Sequence, residues 1–249
     1  MSSSPSSGGI IGPERTTENE SSTGSRLACP VGRQSWSLIV MCTRASSPGG
    51  GTFRSGHLAQ GATLHADTIF WRRLDQPGHE AARLVHHAPF WQLGGTAVFA
   101  DDRRPCRMEY QVVCDAGWRT LHAKVTGWIG KQQVKAELYT DTARRWIING
   151  QQTPAVAGCV DLDLAFSPST NTIPIRRLSL NQGERAEVRA AWLTFPDLTL
   201  EPLVQTYVRT GESSYHYESS GGDFATDLEV GSSGLVLRYP PLWEGEAGA

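Results

Sequence analysis

Asp161 and Asp163 stand two residues apart. On a strand that spacing puts both carboxylates on one face, where they can hold a cation or work as acid and base on a single substrate. The chain runs on through Ser167-Pro168-Ser169-Thr170-Asn171 to Arg176-Arg177. The two planar guanidinium forks suit an acidic head group or a phosphate, and they suit the two aspartates equally well. His79 and Glu80 form a second candidate acid and base. The stretch His79-Glu80-Ala81-Ala82-Arg83 is one residue short of the H-E-x-x-H zinc pattern, because Arg83 stands where the second histidine ligand belongs. His86 and His87 are adjacent, so on a strand they face opposite sides and cannot share a metal. No G-x-S-x-G elbow, Walker loop or G-x-G-x-x-G fingerprint occurs. The expectation is therefore no catalytic constellation, no metal and no cofactor.

The elements that must position these residues read as strands. Apolar side chains recur at period two in short segments bounded by Gly, Pro, Asn or Asp. Met108, Tyr110, Val112 and Cys114 alternate with Glu109 and Gln111, and Leu121, Ala123 and Val125 alternate with His122, Lys124 and Thr126. Val134, Ala136 and Leu138 continue the pattern, with Gly127-Trp128-Ile129-Gly130 expected as the hairpin link before them. Further segments follow at 188–192, 203–207, 224–230 and 235–239. The expectation is ten or more antiparallel strands, curling towards closure around a cavity. A helix is expected near Ser167, with a serine cap before Pro168, limited to a turn or two by Pro174 unless it starts later. Segment 79–87 suits a short helix or a strand. The turn at Pro168 lets Arg176 and Arg177 come back towards the aspartates, so at least one Asp–Arg ion pair is expected at the entry to the core.

Composition narrows the function classes. The 249 residues carry a formal net charge of -2, from 23 Lys and Arg against 25 Asp and Glu, which removes the field that non-specific nucleic-acid binding needs. No run approaches the roughly 20 apolar residues that span a bilayer, and the run Trp36 to Cys42 is too short and too late for a signal peptide. A cytoplasmic protein without stable membrane insertion is expected. The five cysteines are odd in number and lack a C-x-x-C, which favours buried thiols over disulfides or a zinc site. Residues 1–66, rich in Ser, Gly and Pro, are expected to be a disordered extension, and the Asn19 sequon there a chance match. Seven of the eight tryptophans and five of the seven histidines lie at 67–249, the expected folded domain.

Several blocks in order resemble the bacterial "putative glycolipid-binding" family. They are Trp71-Arg72-Arg73-Leu74-Asp75-Gln76-Pro77-Gly78-His79-Glu80, Gly95-Thr96-Ala97-Val98-Phe99, Tyr110-Gln111-Val112-Val113-Cys114-Asp115 and Trp118-Arg119-Thr120. The likeness continues through 158–164 and 166–178, then Ala191-Trp192, Phe195-Pro196 and Tyr239-Pro240-Pro241-Leu242-Trp243. The resemblance implies a mainly β fold, a spiral β-roll in which a long curled antiparallel sheet wraps a single helix, similar in outline to lipoprotein localisation factors. It brings no catalytic residues.

The function expected is that of a lipid or glycolipid carrier with an apolar groove and a polar mouth. The alternative is a hydrolase or isomerase acting on a lipid-like or sugar-linked substrate, with His79 and Glu80 or Asp161 and Asp163 as acid and base. A third class, a protein-interaction module, would expose an apolar patch. The candidate ligand-binding set is His79, Glu80, Arg119, Trp128, Asp161, Asp163, Asn171, Arg176, Arg177 and Tyr207.

Overall fold

The computed structural model describes residues 66–248. The expectations for the extension before Ala66, with its sequon and the thiols Cys29 and Cys42, lie outside the described residues. Eight strands come first: β1 Ala66–Arg73, β2 Gly78–His87, β3 Phe90–Asp101, β4 Arg104–Cys114, β5 Thr120–Ile129, β6 Gln132–Thr140, β7 Trp146–Ile148 and β8 Gln151–Gln152. After β9, Leu162–Leu164, comes α1, Thr172–Leu178. Six more strands complete the chain: β10 Arg185–Leu193, β11 Leu200–Arg209, β12 Ser214–Ser219, β13 Phe224–Val230, β14 Val236–Tyr239 and β15 Trp243–Gly248.

All 15 strands belong to one sheet, in the order β8-β7-β6-β5-β4-β3-β2-β1-β15-β14-β13-β12-β11-β10-β9. Strands β1 to β8 and β10 to β15 each form a meander, and antiparallel pairing of β1 with β15 joins the two in the middle of the sheet. The sheet curls without closing, so β8 and β9 remain edges and the expected drift towards closure stops short. The winding instead brings the β9 end over the first half. Thr120 N–H donates to Val160 O at 3.0 Å, Leu162 N–H to Thr120 Oγ1 at 3.2 Å, and Trp146 Nε1 to Cys159 O at 2.9 Å. Buried backbone and indole donors thereby find acceptor oxygens elsewhere along the chain.

Period two does what it promised where one face is covered. On β4 the side chains of Cys106, Met108, Tyr110, Val112 and Cys114 are all buried, and on β5 Ala123, Val125 and Ile129 are. Segment 79–87 is strand, since its alternate positions Glu80, Ala82 and Leu84 are buried against the core. One boundary moves: Gly127, Trp128 and Ile129 belong to β5, and the hairpin turns at Gly130-Lys131. Gly130 sits at φ +57°, a conformation that favours glycine, so it and not Gly127 makes the turn.

Helix α1 exists because β9 and β10 are parallel, the one parallel pair in the sheet. Parallel neighbours need a long crossover, and a helix is its usual content. The chain enters through a short 3-10 turn, Ser169–Asn171, so the helix begins at Thr172 and Pro174 falls in its first turn, where a missing N–H costs nothing. Thr172, Ile173, Pro174 and Ile175 are all buried, so the first turn is apolar all round and enclosed, while Arg176 is exposed. Ser179 ends the helix in the left-handed region. It is the single α-helix among the described residues, and none is long and apolar enough to cross a membrane.

Candidate functional site

The register of β9 to β13 assembles one wall. Asp163 lies beside Trp192, Gln205 beside Ser219, Tyr207 beside Tyr217, and Ser219 beside Phe224. Cross-strand partners share a face, so an acid, an amide and four aromatic rings converge. The loop after β9 and the chain around Tyr239 to Trp243 cover this wall. Between them lies a cavity of about 190 Å³ lined by Asp163, Ser167, Asn171, Trp192, Tyr217, Phe224, Tyr239 and Trp243, with exposed Ala165 and Ser220 at its rim.

Its polar groups are held individually. Gln205 Nε2 donates to Asp163 Oδ2 at 2.8 Å and to Tyr217 Oη at 2.9 Å. Desolvation pushes the Asp163 carboxyl up to about 6, against the pull of that amide bond. Tyr207 Oη donates to Asn171 Oδ1 at 2.8 Å, which fixes Asn171, and Asn171 Nδ2 donates to Pro168 O at 3.2 Å.

Behind Ser167 stands Glu80, fully buried on β2. Its Oε1 accepts from Ser167 Oγ at 2.6 Å and from Tyr110 Oη at 2.5 Å, while its Oε2 has no hydrogen-bond partner among the described residues. Burial pushes this carboxyl up to about 7, opposed by the Ser167 and Tyr110 bonds and by the charge of Arg73. Ser167 also accepts from Ser169 N–H at 3.1 Å, a local turn that aims its hydroxyl. Tyr110 reaches Glu80 because residue 95 is glycine: a Cβ there would lie 2.5 Å from Tyr110 Oη and 2.8 Å from Ala81 O.

Of the sequence candidates, Asp161, Asp163, Asn171, Arg177 and Tyr207 lie around α1, Asn171 at its start and Arg177 in its last turn, and Glu80 joins them through Ser167. The expected ion pair is bidentate, Arg177 Nε and Nη2 to Asp161 at 2.7 and 2.6 Å. Burial pushes the Asp161 carboxyl up against the pull of this pair, and the pair holds Arg177 further up in turn. Among the described residues Asp163 has no such partner, so the two acids do not act on one site as a pair.

His79 is exposed on the other side of β2 from Glu80, stacked on Phe70 at 5.1 Å. Adjacent strand residues face opposite ways, so His79 and Glu80 cannot be acid and base on one substrate. Trp128 lies half-buried on the outer face of β5, and Arg119 is exposed in the loop between β4 and β5. Arg176 turns away to cap a stack of Trp118 and Trp91, 5.4 and 6.0 Å from its guanidinium carbon, beside a separate cavity of about 480 Å³. The candidate set omits Tyr110, Ser167, Gln205 and Tyr217. Only Ser167 carries a local signal, the serine before Pro168 expected as a helix cap; Pro168 and Asn171 hold the cap positions instead, because the helix starts only at Thr172, and Ser167 accepts from Ser169 N–H in a local turn. Among the described residues no cluster of His, Cys, Asp and Glu could hold a metal ion.

The protein is by class an open spiral β-roll with an acidic, aromatic-walled cavity beside α1. The family described as "Putative glycolipid-binding" matches residues 68–245, and the chain belongs to it. It is similar to the crystal structure of a protein of the DUF1089 family from Pseudomonas aeruginosa, at 30% identity and a TM-score of 0.58 over 78% of this chain and 97% of that one. No curated protein matches the chain.

Proposed function

We propose that the protein binds a glycolipid through its saccharide headgroup, seated in the cavity beside α1. The observation that carries this is the pairing of Asp163, Ser167 and Asn171 with the rings of Trp192, Tyr217, Tyr239 and Trp243 around one space. A few placed polar groups among apolar and aromatic walls is the usual make-up of a small-molecule site. The carboxylate and amide oxygens accept from sugar hydroxyls, and the ring faces cover the C–H face of a pyranose. A volume of about 190 Å³ corresponds to roughly six waters, the scale of a sugar ring and below the ~300 Å³ of typical drug-sized pockets. In this reading the acyl chains stay outside, and the apolar groove expected from the sequence reduces to the rim by Phe224 and Leu242. Titration calorimetry with n-octyl glucoside below its micelle concentration, against octanoate as the lipid-only control, tests the reading. Binding of the glucoside and not of octanoate supports it, and equal or absent binding of both defeats it.

A second reading, hydrolysis of the same ligand, is favoured by one observation: Glu80 reaches the cavity through Ser167 Oγ at 2.6 Å, with a carboxyl poised at about 7. Release of free glucose from octyl glucoside would support it. The buried thiols of Cys106, Cys114 and Cys159 accord with a reducing, cytoplasmic setting, which cell fractionation tests.

A further inference from the structure

Asp163 is the one charged side chain that lines the cavity. Its hydrogen bond comes from a neutral amide, Gln205, and among the described residues no Lys, Arg or His lies within ion-pair distance of it. Two residues earlier on the same stretch, Asp161 is given a bidentate arginine. The fold therefore supplies a counter-cation to one aspartate and withholds it from its neighbour. A half-buried carboxylate that has lost part of its hydration and has no cation costs the folded chain stability, and a ligand that brings the cation relieves that cost.

The rings around it suit the same partner. Tyr217, Phe224 and Tyr239 stand edge-on to one another with centroids 5.7 to 6.2 Å apart, and Trp192 flanks Asp163 in register. Trp243, on the opposite wall, already receives a cation: the Arg73 guanidinium carbon sits 5.1 Å from its ring centroid. Aromatic faces beside a carboxylate attract ammonium groups, most strongly where water is excluded.

We infer that the cavity recognises a protonated amine on the headgroup, an amino sugar in place of a neutral one, with Asp163 as the counter-ion and the tyrosine and tryptophan rings as its walls. This rests on the glycolipid reading. The titratable groups facing Asp163 are Tyr207 of β11, Tyr217 of β12 and Tyr239 of β14, all held protonated by burial, and Asp161 is engaged with Arg177 of α1. Glu80, whose carboxyl titrates at about 7 behind Ser167, changes its charge above this range, so the loss of amine recognition below pH 5 follows the ionisation of Asp163.

The test compares n-octyl glucoside with n-octyl 2-amino-2-deoxyglucoside by calorimetry on the full chain at pH 7.5. The amino glycolipid should bind about tenfold or more tightly, the scale of one charge pair in a desolvated site. That preference should collapse in Asp163→Asn and, in the wild type, below pH 5. The amide of Asp163→Asn keeps the Gln205 contact and removes a buried charge, so the variant folds, which its unfolding transition verifies. Equal affinity for the two glycolipids overturns the amine inference and leaves the glycolipid reading standing. Binding of neither overturns both, and a preference that survives Asp163→Asn overturns the role of Asp163.

Discussion

Glu80→Gln should stabilise the protein, and by an amount that depends on pH. Glu80 titrates near 4.5 in the unfolded chain and at about 7 in the folded one. Between those values the unfolded state releases a proton that the folded state keeps, so the folded state binds more protons and its stability falls as pH rises. Holding the proton from 4.5 up to about 7 corresponds to a cost of roughly 3 kcal/mol for the folded carboxylate, absent below pH 4.5 and complete above pH 7. The amide in Glu80→Gln would keep an oxygen to accept from Tyr110 and Ser167 and has no proton to lose in this range. Asp163, at about 6, adds a fall of the same sign, but it is common to both proteins and cancels in the comparison. Urea unfolding of wild type and Glu80→Gln at pH 4.5, 6 and 8 reads the effect directly. The stability of the variant relative to wild type should grow by about 3 kcal/mol across the series, or about 6–12 °C in Tm for a domain of this size. A difference that stays constant with pH would refute the reasoning, because Glu80 would then ionise as freely in the folded protein as in the unfolded chain.

Gly95→Ala should cost about 3 kcal/mol or more at pH 8, since its Cβ displaces Tyr110 from Glu80 and presses on the Ala81 carbonyl; a loss below about 0.5 kcal/mol in urea unfolding would disprove the contact. Asp161→Ala should destabilise by about 3 kcal/mol by stranding Arg177, while the double change Asp161→Ala with Arg177→Met should recover most of that loss; a strictly additive cycle would show the pair to be uncoupled. Tyr207→Phe should cost about 1–3 kcal/mol by leaving the buried Asn171 amide oxygen without its donor, and an unchanged unfolding midpoint would contradict this.

The sequence carried the strands because burial is one-sided along most of them. Met108, Tyr110, Val112 and Cys114 had to share a face wherever the sheet went, and they do. What it could not carry was which residues meet across the winding. Ser167 and Glu80 are 87 positions apart and Tyr110 and Glu80 are 30 apart, and their contact depends on how far the sheet has curled by β9. The same limit governs the aspartates. Period two placed Asp161 and Asp163 alike, yet which of them receives Arg177 depends on where the helix starts, and the 3-10 turn over Ser169–Asn171 moved that start to Thr172. One acid became structural and the other was left facing the cavity by a shift of a few residues in a crossover. The long-range contact does leave one local trace. Gly95 interrupts a strand that needs no turn there, and a glycine inside a strand marks the close approach of another group. Its neighbours in sequence do not say which group. The cross-strand register does: Gly95 pairs with Tyr110 on β4 and with Ala82 on β2, two residues from Glu80, so the missing side chain is the space through which the phenol reaches the acid.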